Sequence, residues 1–220
     1  MKIKITVLLA VVCVIMFIAE LSGMSYLAKT IIKIILFLCV PIIYNLITKD
    51  ISIASFLKVK NAKSILKSIM LGVMVYIVII LGYVIVKNYI LPEQITDSLN
   101  KMNITLDNFI FISLYISFIN SFIEEFLFRG FVCIGVKAES NKMFYIIMSS
   151  LIFSLYHIGI MINWFSIPVF ILLIIGLFLC GLFFCCLNRK NSNIYNSWMI
   201  HMFANFAINS IGFYMLSNTL

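Results

Sequence analysis

Residues 118–130 read Phe-Ile-Asn-Ser-Phe-Ile-Glu-Glu-Phe-Leu-Phe-Arg-Gly, and this stretch places three ionisable groups within an apolar run. A charged side chain at the centre of a membrane helix costs about 2.5–3.5 kcal/mol on insertion scales, and it normally faces the protein interior or a wet cavity. Glu124, Glu125 and Arg129 are therefore the first candidates for a functional site. The alternative is a structural triad that holds helices together.

Helical geometry gives the two acids different surroundings. At about 100° per residue, Glu125 and Arg129 lie on one helix face, roughly 40° apart. Glu124 points roughly 140° away from Arg129 on the same arithmetic. We therefore expect Arg129 to neutralise Glu125 and to leave Glu124 free for another partner or a water molecule.

Composition excludes a soluble domain. The chain has 220 residues, of which 64% are hydrophobic and 11% charged, and its mean hydropathy is +1.16. Membrane-spanning backbone must form helices or a closed barrel. Apolar runs near the roughly 20 residues of a membrane helix, without the period-two alternation of barrel strands, favour helices. The sequence predicts an all-α, polytopic transmembrane helix bundle.

About seven helices are predicted, within a range of six to eight. They cover residues 5–18, 30–47 (with a kink at Pro41), 69–90, 108 onward, 144–157, 166–187 and 197–216. Residues 92–107 are expected to form a polar loop, and 137–142 a polar turn. We divide this single structural domain into N-terminal helices, 1–108, and a core at 109–216.

The basic residues predict topology rather than nucleic-acid binding. The net charge is +8, but the lysines lie between apolar spans. Placing the N-terminus inside puts twelve basic residues on the inner side and four (Lys29, Lys33, Lys87 and Lys101) on the outer side. Because inner loops carry more Lys and Arg, this bias predicts a multi-pass cell-membrane protein with a cytoplasmic N-terminus. The basic segment 49–67 is either an amphipathic interfacial segment or a charged loop.

The six cysteines fall mostly inside apolar runs and lack CxxC spacing. We therefore expect them to act as small core hydrophobes rather than as disulfides or zinc ligands.

Both histidines lie in late helices, in the patterns Phe153-x-x-x-His157 and His201-x-x-x-Asn205. The second pattern puts an imidazole and an amide on one helix face. A helix bundle can bring such side chains together in its core. We therefore predict a polar cavity formed by helices four, five and seven.

Three chemistries fit these residues. Glu124 can act as a general base on water, with His201 and Asn205 stabilising an oxyanion. Alternatively, Glu124, His157 and His201 can bind Zn²⁺. A proton or cation pathway is the third interpretation. The HExxH zinc signature is missing.

The motifs Glu124-Glu125-x-x-x-Arg129, Phe153-x-x-x-His157 and His201-x-x-x-Asn205, in this order on successive apolar helices, resemble those of the CPBP family. These are the CAAX-protease and bacteriocin-processing (Abi) intramembrane proteases. The resemblance covers roughly residues 109–216 and implies a glutamate-dependent endopeptidase with a conical cavity. It implies that Glu124 is the base, that His157 holds the water, that Glu125 and Arg129 support the site, and that His201 and Asn205 form the oxyanion hole. This mechanism needs no metal, although zinc remains an alternative.

The expected partners are the lipid bilayer and a peptide or lipid-modified protein substrate. The alternative functions are a non-enzymatic immunity or scaffold protein and a small ion-coupled transporter. Nothing in the sequence indicates an oligomeric state.

His157 and His201 can share a site with Glu124 only if they lie at similar depths in the membrane. With straight helices entering from one side, His157 lies about 20 Å deep and His201 about 6–9 Å deep. We therefore expect helix five to start later than residue 144, after an interfacial segment at 131–145, or the helices to tilt strongly. A separation of His157 from Glu124 above about 10 Å would rule out a shared site.

Overall fold

The computed structural model describes residues 2–136 and 142–218, and within them seven helices are long and apolar enough to cross a membrane. The predicted all-α bundle is confirmed. We number the helices in chain order, with bounds α1 Ile3–Leu21, α2 Tyr26–Thr48, α3 Ala62–Tyr89, α4 Leu106–Ile134, α5 Lys142–Met161, α6 Ile167–Asn191 and α7 Tyr195–Asn218. α7 packs along α3, and α6 packs along α5.

Most helices begin earlier than predicted, because polar caps precede the apolar runs. The Ser25 hydroxyl accepts a hydrogen bond from the Ala28 N–H at the start of α2. At the start of α3, the Asn61 side-chain oxygen accepts one from the Lys63 backbone N–H. Satisfying otherwise unpaired N–H groups in this way stabilises a helix start. The cap at Asn61 makes residues 62–67 the first turns of α3, so the basic stretch 49–67 is divided between a connection and the start of a long helix. A short helix, Ile53–Phe56, lies between α2 and α3.

The predicted polar loop at 92–107 is also wrong over most of its length, because Pro92–Lys101 is a helix. Its signals are present in the sequence, with proline in the first turn, Glu93 near the N-terminus and Lys101 in the last turn. Directly after this helix, the Met102 carbonyl accepts a hydrogen bond from the Tyr26 N–H at 3.2 Å. The predicted polar turn at 137–142 lies outside the described residues except for Lys142, which begins α5.

π-helical turns interrupt α2 and α4. In α2 the π-helical turn Ile35–Cys39 ends two residues before Pro41. Proline has no N–H to donate to the helical hydrogen bonds. In α4 two such stretches, Tyr115–Asn120 and Phe126–Ile134, flank the α-helical Ser121–Glu125. π-helical turns frequently occur at functional sites.

The prediction that all cysteines are unlinked core residues is wrong for one pair. Cys133 and Cys185 form a disulfide between α4 and α6. The four other cysteines, all within the described residues, carry free thiols, but only Cys13 is buried; Cys39, Cys180 and Cys186 are exposed, so the core prediction is wrong for them too. Spacing could not reveal the pair, since its members lie 52 residues apart.

Candidate active site

Glu124 lies at the end of the short α-helical segment between the two π-helical stretches of α4. Its side chain is only 2% exposed. A carboxylate buried this deeply needs partners for both oxygens, because an unpaired buried charge is strongly destabilising. The structure gives the two oxygens different partners.

Three side chains surround Glu124 Oε1. The Lys33 ammonium lies 3.2 Å away, the Asn120 amide donates from 3.1 Å, and the Tyr156 hydroxyl donates from 3.4 Å. Lys33 also donates to Asn120 Oδ1 at 2.7 Å, which orients the amide so that its NH₂ group faces the carboxylate. Oε1 is therefore occupied by donors.

Glu124 Oε2 faces two imidazole rings instead. His201 Nε2 lies 3.7 Å from it and His157 Nε2 lies 4.0 Å from it. The distance of 4.0 Å is well below the limit set above, so the structure brings both histidines to Glu124. α5 nevertheless begins at Lys142, so the expectation of a later helix start is wrong.

The other ring nitrogen of each histidine has a partner that fixes the tautomer. His157 Nδ1 lies 2.8 Å from the Phe153 carbonyl oxygen, which can only accept, so Nδ1 carries the hydrogen. Nε2 of neutral His157 is then an acceptor that faces the carboxylate. Any residue at position 153 would supply this carbonyl, and the phenylalanine itself adds a ring contact with His157, with centroids 4.5 Å apart.

Glu125 lies about 100° around α4 from Glu124, and it shares His201 with Glu124 but has other partners of its own. One oxygen lies 3.4 Å from the Arg129 guanidinium, as predicted, and 3.0 Å from His201 Nδ1. The other oxygen accepts a hydrogen bond from the Ser197 hydroxyl, which in turn contacts the Asn188 amide. Glu125 therefore orients His201, and α6 and α7 orient Glu125.

Arg129 is fully buried and interacts mainly through its charge. Among the described residues no atom accepts a well-formed hydrogen bond from its guanidinium, although Glu125 is within ion-pair distance. The guanidinium carbon lies 3.9 Å from the centre of the Phe153 ring, which is cation–π geometry. The ring that covers Arg129 thus belongs to the residue whose carbonyl fixes His157.

Asn205 is anchored to the backbone of α4. Its Nδ2 donates to the Ile116 carbonyl at 3.1 Å, within the first π-helical stretch. The structure thus connects five of the six predicted site residues directly to one another, and it ties Asn205 to the helix that carries the glutamates.

Sequence reasoning missed five residues of these networks: Lys33, Asn120, Tyr156, Ser197 and Asn188. The signal for Lys33 was available, because it is a lysine inside an apolar run. It was instead assigned to the outer loop together with Lys29. Both are buried, and Lys29 pairs with Glu20 at 3.0 Å.

The residues named for zinc do not form a ready ligand set. Across residues 2–136 and 142–218, no group of three or more His, Cys, Asp or Glu side chains is placed to hold a metal ion. Lys33 already brings a positive charge to Glu124, which opposes a dication on the same carboxylate.

The comparisons with known proteins identify the same region. The family model described as "Type II CAAX prenyl endopeptidase Rce1-like" matches residues 106–207, a span that includes all six predicted site residues. No curated protein and no solved structure matches the chain. The match covers residues 106–207, so this part of the chain is similar to the CAAX-type intramembrane proteases of the CPBP family.

Proposed function

We propose that the protein is an intramembrane endopeptidase in which Glu124 activates a water molecule to hydrolyse a peptide bond. The observation that carries this proposal is the asymmetry of the Glu124 carboxylate. Oε1 is occupied by donors, whereas Oε2 faces His157 and His201 at 4.0 and 3.7 Å. A water with two hydrogens to donate suits the space between Oε2 and His157 Nε2.

In the proposed reaction Glu124 accepts a proton as the water oxygen bonds to the scissile carbonyl carbon. The carbonyl π electrons move to oxygen and form a tetrahedral oxyanion. When this intermediate collapses, the C–N bond breaks and the proton on Glu124 passes to the departing amine. The products are a carboxylic acid and an amine, which become a carboxylate and an ammonium when the acid gives its proton to the amine, so the protein ends the cycle unchanged.

Asn205 and His201 are the proposed donors to the oxyanion. Asn205 uses one N–H on the Ile116 carbonyl, which leaves its second N–H for a ligand. His201 can donate through Nε2 only as an imidazolium, because Nδ1 already faces Glu125. Both residues lie on one face of α7, one turn apart.

Asn205→Ala is expected to lower kcat about 10²–10³-fold, the usual effect of removing one oxyanion donor. Asn209→Ala is the matched control. Asn209 lies one turn further along α7 and also donates to a backbone carbonyl of α4, that of Ser113. Equal kcat losses in the two variants, measured on purified protein in liposomes, would contradict the oxyanion role.

We further propose that the substrate is a lipid-modified chain end of the CAAX type. The support is the family match together with the burial of the site in the bundle. The test uses a farnesylated peptide that ends in a CAAX sequence, the same peptide without the farnesyl group, and protein in liposomes. Mass spectrometry of the products is expected to show one cut after the modified cysteine. Absence of any cut in both peptides would contradict the proposed activity.

The reaction is proposed to run without a metal. Incubation with EDTA or 1,10-phenanthroline is therefore expected to leave the cleavage rate unchanged, within about twofold. The physical reason is that Lys33, 3.2 Å from Glu124 Oε1, brings a positive charge that opposes a dication on the same carboxylate. Loss of activity that added Zn²⁺ restores would contradict this proposal and would favour the zinc alternative.

We also propose that the protein lies in the cell membrane with its N-terminus on the cytoplasmic side. Burial of Lys29 and Lys33 removes two of the four basic residues first assigned to the outer side, and burial of Arg129 removes one of the twelve assigned to the inner side. Lys58, Lys60, Lys63 and Lys67, on the assigned inner side, are exposed. The charge bias thus becomes stronger, which supports this orientation.

A further inference from the structure

We propose that Lys33 is a positioning residue that holds one oxygen of Glu124 so that the other faces the reacting water. The inference rests on the proposed function and deepens it. Lys33 lies on α2, outside residues 106–207 that match the family model. A residue outside the recognised domain would therefore complete its active site.

The first support is the burial of the ammonium. Lys33 is 7% exposed and lies inside a membrane-spanning helix, where a lysine is costly. Its charge contacts the Asn120 oxygen at 2.7 Å and Glu124 Oε1 at 3.2 Å. The ring of Tyr156 lies 5.3 Å from the nitrogen, within cation–π range.

The second support is the shape of the contact. Lys33 and Asn120 both bind Oε1, and they also bind each other, so the three groups form a closed triangle. A closed triangle fixes the rotation of the carboxyl group. Oε2 is thereby held toward His157 and His201, where the water must be deprotonated.

The third support is the contrast with Lys29 on the same helix. Lys29 lies one turn earlier, is 6% exposed, and pairs with Glu20 at 3.0 Å. The two lysines share burial, helix and ion-pair chemistry, and only Lys33 contacts the proposed base. Lys29 is therefore the control for a buried lysine whose role is structural only.

The experiment compares purified Lys33→Met, Lys33→Arg and Lys29→Met with the wild type on the farnesylated CAAX peptide in liposomes. Lys33→Met is expected to lower kcat about 10- to 100-fold with KM unchanged within about threefold, since a hydrogen bond to a charged group is lost. Lys33→Arg restores the charge and is expected to recover at least about tenfold of this loss. Lys29→Met is expected to keep kcat within about threefold.

The other outcomes distinguish failure of the Lys33 positioning role from failure of the proposed function. Equal kcat values for Lys33→Met and Lys29→Met, with an active wild type, would overturn the positioning role and leave the proposed function standing. A wild type that cuts nothing would overturn the proposed function and this inference with it. If Lys33→Met does not yield folded protein, Lys33→Gln takes its place with the same expected loss of kcat.

Discussion

Glu124→Gln is expected to lower kcat about 10²–10⁴-fold, which is the range that general-base catalysis contributes. Gln keeps the size of the side chain and an oxygen that can accept from Lys33, but it leaves the buried Lys33 ammonium without a counter-ion, so a loss of stability is expected as well. It cannot accept the proton of the attacking water. The cleavage rate of the purified variant on the farnesylated peptide, together with its melting temperature in detergent, measures both effects.

Glu20→Gln is the matched control for this prediction. Glu20 is also paired with a buried lysine of α2, at 3.0 Å, and it lies outside the proposed site. The same chemical change at Glu20 should leave kcat within about threefold of the wild type. A Glu124→Gln variant that keeps more than about a tenth of the wild-type kcat would show that Glu124 is not the base.

The second large effect concerns stability. Arg129→Met is expected to lower the free energy of unfolding by about 3–5 kcal/mol, because it leaves Glu125 charged in a fully buried position. We expect the lower end of this range, since the guanidinium makes no well-formed hydrogen bond to the described residues. Thermal unfolding in detergent, compared with the wild type, measures the loss.

The double variant Glu125→Gln/Arg129→Met separates charge from packing. Removing both charges removes the unpaired one, so the double variant should regain most of the stability lost in Arg129→Met. A double variant no more stable than Arg129→Met would show that lost packing or the lost contacts of Glu125 with His201 and Ser197, rather than an unpaired charge, dominate. In either case the pair is buried, so added salt should change the result little.

The two adjacent glutamates have different partners because consecutive helix positions face different neighbours. Glu124 meets α2 and α5 through Lys33 and Tyr156, and Glu125 meets α7 through Ser197. His201 lies between them, with one nitrogen toward each carboxylate. This division would allow one acid to take part in proton transfer while the other holds the histidine.

Local rules predicted much of the site. Helix arithmetic gave the pairing of Glu125 with Arg129, because that contact lies within a single helix. Charge inside an apolar run pointed to Glu124 for the same local reason. The convergence of His157 and His201 needed the order of motifs along the chain, because straight helices alone would place the two histidines at different depths.

Long-range contacts could not be read from spacing. The contact between Lys33 and Glu124 joins residues 91 positions apart, and the Cys133–Cys185 disulfide spans 52 positions. The π-helical turns of α4 have no residue signature that a single sequence reveals, although they set the direction of the groups around Glu124. Lys33 was misassigned because a count of loop charges treats every lysine near a helix end as exposed.

The most direct test of the central claim compares membranes from cells that express the wild type with membranes from cells that express Glu124→Gln at equal levels. Mass spectrometry of peptide termini identifies the bonds cut in each. New termini that appear only with the wild type are the predicted result, and they would name the substrate and the bond. Identical sets of termini would contradict the account of Glu124 as the base of a peptidase.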